Sequence, residues 1–132
     1  MSTENRKLTS KDKSNLAEEI IAFLYENNCF EDIALYTDGK CYTSYPRPDY
    51  AKINRPFGTF YMSKDDVDVI RYVGCANPET LTMTFEGSFN PIINCCNADS
   101  EKIINRFNLI LAKYNIHYEQ SDSWQLVCYY NG

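Results

Sequence analysis

The sequence predicts an α+β domain: a mostly antiparallel sheet of about six short strands, with two amphipathic helices packed on one of its faces. Three observations carry that expectation. Apolar residues recur at helical spacing in two segments, Leu16, Ile20, Phe23 and Leu24 near the start and Ile103, Ile104, Phe107, Ile110, Leu111 and Tyr114 near the end. The stretch TLTMTFEG alternates strictly, with Leu81, Met83 and Phe85 facing one way and Thr80, Thr82, Thr84 and Glu86 the other. The dipeptide Asp38-Gly39, set between alternating apolar runs, is a hairpin signal. Helices beside hairpins bury their stripes most economically as two layers.

Taken in order, residues 1–13 carry Ser, Thr, Asn and Lys and read as a flexible tail, leaving 14–132 as a single domain. The first helix follows, with Ser14 or Asn15 as its cap and Glu18 closing a capping box on Asn15. Asn27 and Asn28 supply a left-handed exit. Ile33 to Tyr45 forms the Asp38-Gly39 hairpin, and RPDYAKINRP, bracketed by Pro46, Pro48 and Pro56, reads as a loop. FGTFYMS is a short strand, and residues 64–72 a short helix or turn. A connector holding Cys95 and Cys96 leads to the second helix over 98–114, with Asn115 at its left-handed end. The chain closes in a hairpin turning at 121–123, whose last strand sets Trp124, Leu126, Cys128 and Tyr130 on one face.

Composition excludes several functions. A net charge of −5 and a pI near 4.8 oppose general nucleic-acid binding, which needs clustered Lys and Arg. No apolar run is long enough to span a membrane. The polar start MSTENRKLTSKDKSN has no apolar core of a secretory signal, so the cytoplasm is the expected location. Six cysteines in 132 residues, with no such signal, read as reduced thiols that pack as small hydrophobes. The abundance of Asn, Ile, Lys and Tyr fits an AT-rich bacterial or phage genome.

Candidate chemistry is sparse. No C-x₂-C spacing occurs and there is one histidine, so no metal site is expected, and no cofactor fingerprint such as G-x-G-x-x-G is present. Asp65, Asp66 and Asp68 lack the spacing of a calcium loop and read as a solvated helix start. Cys95 and Cys96 precede the second helix, whose positive end would favour a thiolate, and His117 is the sole imidazole available as a base. His117 follows that helix, however. A helix of 17 residues is about 25 Å long, so thiol and imidazole are expected at opposite ends.

The sharper signal is a local reversal of charge. Between Tyr36 and Phe57, Lys40, Arg47, Lys52 and Arg55 outnumber Asp38 and Asp49 in a chain that is otherwise acidic. The same stretch holds Tyr36, Tyr42, Tyr45 and Tyr50, and Tyr and Arg are the residues most used as binding anchors. The expectation is a small non-enzymatic domain, accessory, regulatory or immunity-type, that binds another protein through Tyr36, Tyr42, Tyr45, Arg47, Tyr50 and Arg55. A sheet edge offers a further route to homo-oligomers. The alternative is a thiol-dependent enzyme or redox protein using Cys95 or Cys96.

Overall fold

The computed structural model describes residues 7–95 and 97–132, the Tyr72 side chain excepted. In chain order the elements are α1 (Ser10–Glu26), β1 (Ile33–Thr37), β2 (Lys40–Thr43), β3 (Tyr50–Arg55), β4 (Gly58–Ser63), α2 (Val69–Tyr72), β5 (Thr82–Phe85), α3 (Phe89–Asn94), α4 (Ala98–Lys113), β6 (Ile116–Asp122) and β7 (Gln125–Tyr130). The strands form one antiparallel sheet in the order β3-β4-β2-β1-β5-β7-β6. The long helices α1 and α4 pack against it, so the α+β expectation holds, with seven strands rather than six.

The additional strand is β3, which falls where a loop was expected. Pro48 and Pro56 lie just outside it, so neither removes a ladder hydrogen bond, and β3 is an edge strand that tolerates flanking prolines. Its hairpin partner begins at Gly58, whose φ of 148° and close approach to the Tyr25 ring both exclude a side chain. The Asp38-Gly39 turn forms as expected: both residues have positive φ, 54° and 72°, and Thr37 pairs with Lys40 across it.

Helix α1 begins earlier than the apolar stripe suggests. Thr9, not Ser14 or Asn15, is its cap: the Asp12 N–H donates to the Thr9 hydroxyl (3.1 Å) and the Thr9 N–H to the Asp12 carboxylate (2.9 Å). Residues 10–13, expected in the tail, are therefore its first turn, and residues 1–6 lie outside the described ones. At the other end Asn28 takes the left-handed position (φ 54°), with Cys29 N–H bonded to Leu24 O and Asn28 N–H to Tyr25 O. The connector before α4 holds the short helix α3, which drives Phe89 into the core.

The core lies between the helices and the sheet. Phe107 of α4 is fully buried and meets Phe23, Phe89 and Tyr118, with ring centroids 5.9, 5.6 and 5.6 Å away. Leu35, Tyr42, Phe60, Met83, Phe85, Leu126 and Cys128 come up from the sheet. The expectation of one dry and one wet face for TLTMTFEG needs correction. Thr80 and Thr82 are also fully buried, because the segment 64–79 crosses the second face there. That cover is tied by polar groups: Gln125 Nε2 donates to Gly74 O (2.7 Å), and Asn77 Nδ2 (2.9 Å) and the Thr80 hydroxyl both donate to Cys128 O. Trp124 also departs from expectation. It sits in the β6–β7 turn rather than in β7, is 39% exposed, and is absent from the face shared by Leu126, Cys128 and Tyr130.

Candidate functional site

Side chains alternate along a strand, so every strand that sends a core residue toward the helices sends its neighbours the other way. On β1 and β2 the residues facing away from the helices are Ala34, Tyr36, Cys41 and Thr43, and Tyr36 and Cys41 are direct partners in the ladder. Tyr36 is the hub of this open face, lining three separate clefts. The largest, about 370 Å³, runs between the 47–50 turn and the 63–67 segment, and includes Arg47, Tyr50, Asp49 and Asp65 in its walls. A second, about 280 Å³, is walled by Tyr36, Tyr45, Val73, Thr84 and Trp124, with Asp32 and Glu86.

Arg47, in the wall of the first cleft, reaches Tyr45 of the second. Its guanidinium lies 4.9 Å from the Tyr45 ring centroid and 5.4 Å from that of Tyr50, and its Nη2 donates to the Tyr45 hydroxyl at 2.8 Å. Beneath it the Cys41 thiol is within hydrogen-bonding reach of the Tyr36 and Tyr50 hydroxyls. Burial raises the Cys41 thiol above its ordinary range, although Tyr50, Arg47 and Tyr36 pull the other way. Burial also lifts Tyr36, and pushes Tyr50 up to about 12 with help from Cys41. At neutral pH the cluster is therefore one cation ringed by neutral hydroxyl and thiol groups, suited to contact and hydrogen bonding rather than to nucleophilic attack.

Of the residues singled out in the sequence, Tyr36, Tyr45, Arg47 and Tyr50 come together on this face. Tyr42 does not. It is 3% exposed and points at the helices, its ring 5.9 Å from Phe60, because position 42 has the parity opposite to Cys41. Arg55 is elsewhere too, at the end of the β3–β4 hairpin. Both arms of its guanidinium bind Glu18 of α1, at 2.7 and 3.1 Å. Trp124, not among the candidates read from the sequence, also lines this face. A lone Trp beside a turn carries little signal until the ladder sets it beside β5, where it lines one cleft with Tyr36 of β1.

The thiol candidates sit apart from this cluster. Cys95 caps α3 and is exposed, so it does not pack beneath α4 as a small hydrophobe would; Cys96 lies outside the described residues. His117 is on the edge strand β6, its Nδ1 2.7 Å from Asn131 Oδ1 and its Nε2 3.3 Å from Glu119 Oε2. Both ring nitrogens thus face oxygens and neither faces sulfur. Asp66 is paired with Lys40 at 3.0 Å. Among the described residues no group of three or more His, Cys, Asp or Glu could hold a metal ion, and no helix is long and apolar enough to cross a membrane.

Of the two sheet edges, β3 carries Lys52 and Arg55, and β6 has a register shift between Gln120 and Asp122; both features oppose edge-to-edge pairing. Comparison of the chain with protein-family models, with curated proteins and with solved structures returns no match.

Proposed function

We propose that the chain is a small non-enzymatic binding protein that captures another protein through the open face of its sheet, with Tyr36, Tyr45, Arg47, Tyr50 and Trp124 as contacts. The observation that carries this reading is the Tyr45–Arg47–Tyr50 stack on a face that neither long helix covers. An arginine already held between two rings loses little further freedom when a partner docks, so more of its contact energy survives as affinity. Tyr45 at 40% and Trp124 at 39% exposure present ring area that the fold itself does not use. The thiol-dependent alternative has no comparable support, since the sole imidazole is engaged by Asn131 and Glu119.

The test is capture from a lysate of the cells that make the protein, with identification by mass spectrometry. Wild type and the helix-side control Leu109→Ala should retain the same partner. The Tyr45→Ala/Arg47→Ala double variant should lose it while melting at nearly the wild-type temperature. Truncating a central anchor costs about 2 kcal/mol or more of binding, roughly thirtyfold in affinity. Retention by the double variant with loss in Leu109→Ala would move the contact surface to the helices.

A further inference from the structure

The cleft between Tyr36, Tyr45 and Trp124 has a composition unlike the rest of the face. Three aromatic side chains wall it, two carboxylates join them, and no Lys or Arg lines it. Asp32 and Glu86 are brought side by side by the backbone: the Glu86 N–H donates to Asp32 O at 3.1 Å, and Asp32 adopts a left-handed conformation (φ 51°) that an Asp tolerates. Both are exposed, and among the described residues neither is in an ion pair with a Lys, Arg or His. Several other acidic side chains are committed, although Asp49, Asp65, Asp68, Asp99 and Glu101 are, like these two, in no ion pair among the described residues. Glu18, Glu19, Glu26 and Asp66 each hold a cation, and Glu31 accepts from Ser88.

We propose that this cleft receives a cationic side chain, an arginine or a lysine, presented by the partner protein. The proposal rests on the reading that the open face is the contact surface, and it names the chemistry of what binds there. Ring faces carry negative electrostatic potential and attract guanidinium and ammonium groups, and the flanking carboxylates add charge complementarity. At about 280 Å³ the cleft falls just below the range of about 300 to 1,000 Å³ typical of sites for drug-sized ligands, which suits one side chain rather than a cofactor. The net charge of −5 draws a basic partner in from a distance. Arg47 lies outside this cleft's lining, but its guanidinium is 4.9 Å from the Tyr45 ring centroid, so it already engages that ring and repels a second cation. The attraction in the cleft is carried by Tyr36, Trp124 and the two carboxylates, whose combined charge outweighs that of Arg47.

Trp124 is the sole tryptophan, so its fluorescence reports on this cleft alone. The probe is the peptide acetyl-Gly-Arg-Gly-amide, with acetyl-Gly-citrulline-Gly-amide as its neutral isostere. Saturable change in Trp124 emission at millimolar arginine peptide is expected, with the citrulline peptide at least tenfold weaker. In Asp32→Asn/Glu86→Gln the arginine affinity should fall at least tenfold, with the melting temperature of the free protein nearly unchanged. Equal binding of the two peptides, no saturable response, or undiminished affinity in that variant would overturn the proposal. The readings of face and cleft separate cleanly. If capture depends on Tyr45 and Arg47 yet survives Asp32→Asn/Glu86→Gln, the cleft proposal falls and the binding face stands. If the arginine peptide binds as expected but capture ignores Tyr45 and Arg47, the cleft stands and the wider face falls.

Discussion

Beneath α1 and α4 the sheet presents Leu35, Phe60, Met83, Phe85 and Leu126, and aromatic rings interlock across the layer. The opposite face is built from other materials. Its buried members include Thr82, Gln125, Cys41 and Ser63, whose hydroxyl, amide or thiol finds a partner, beside the apolar Ala34 and Val127. Its cover is the segment 64–79, which buries Val69 and Val73 and is held by side-chain to backbone hydrogen bonds. The first face is dry and gains from area removed from water, about 25 cal/mol per Å² of apolar surface. The second gains less per residue, because its polar groups exchange water for equivalent partners at roughly 1 kcal/mol each and its apolar members, Ala34, Val127, Val69 and Val73, are small. The helix side therefore contributes most of the stability, while the opposite face is closed over much of its area and leaves Tyr45 and Trp124 partly exposed.

The largest effect expected from this difference is on the helix side. Phe107→Ala should cost about 3 to 5 kcal/mol in urea unfolding, since it opens a hole beneath three other rings. A loss below about 1 kcal/mol would show that the two layers are less tightly joined than the ring contacts imply. Next comes alkali. Burial, with Glu31 second, raises the Cys29 thiol from 9.0 to about 11. The folded state then keeps a proton that the unfolded chain has lost, so the contribution is complete below pH 9 and disappears as pH rises toward 11. The loss is on the order of 2 to 3 kcal/mol at about 1.4 kcal/mol per unit, and Cys29→Ala should flatten that part of the stability–pH curve. Alkylation of the native protein follows burial on both faces. Cys75 and Cys95 should label quickly because they are exposed, and Cys29, Cys41 and Cys128 only after unfolding.

The helix side was also the legible one. Its helices, the Asp38-Gly39 turn, the Asn28 and Asn115 exits and the Leu81, Met83 and Phe85 stripe all follow from spacing and turn chemistry, which are local. The open face depends on which strands become neighbours, and that is not local. Tyr36, Tyr45, Arg47 and Tyr50 are close in sequence and so stand out as one group, yet Tyr42 falls in the same stretch although strand parity turns it inward. Trp124 joins Tyr36 only because β5 pairs with both β1 and β7. Strand β3 was hidden by its flanking prolines, and the start of α1 by the absence of apolar residues in its first turn.

Two smaller changes sharpen the contrast. Thr9→Ala removes the hydroxyl that caps α1 and should cost about 1 kcal/mol, a purely local loss on the helix side that leaves partner capture intact.

At the far end of the scale stands Tyr45→Ala. Its ring is 40% exposed and its hydroxyl serves Arg47 alone among the bonds described, so unfolding should shift by no more than about 0.5 kcal/mol. If partner capture nonetheless falls by tenfold or more, stability and contact have been assigned to opposite faces of the same sheet. If stability falls by more than about 1 kcal/mol, the Tyr45–Arg47–Tyr50 stack belongs to the fold. The open face would then be a second, polar core whose tyrosines hold the 47–50 turn in place rather than await a partner.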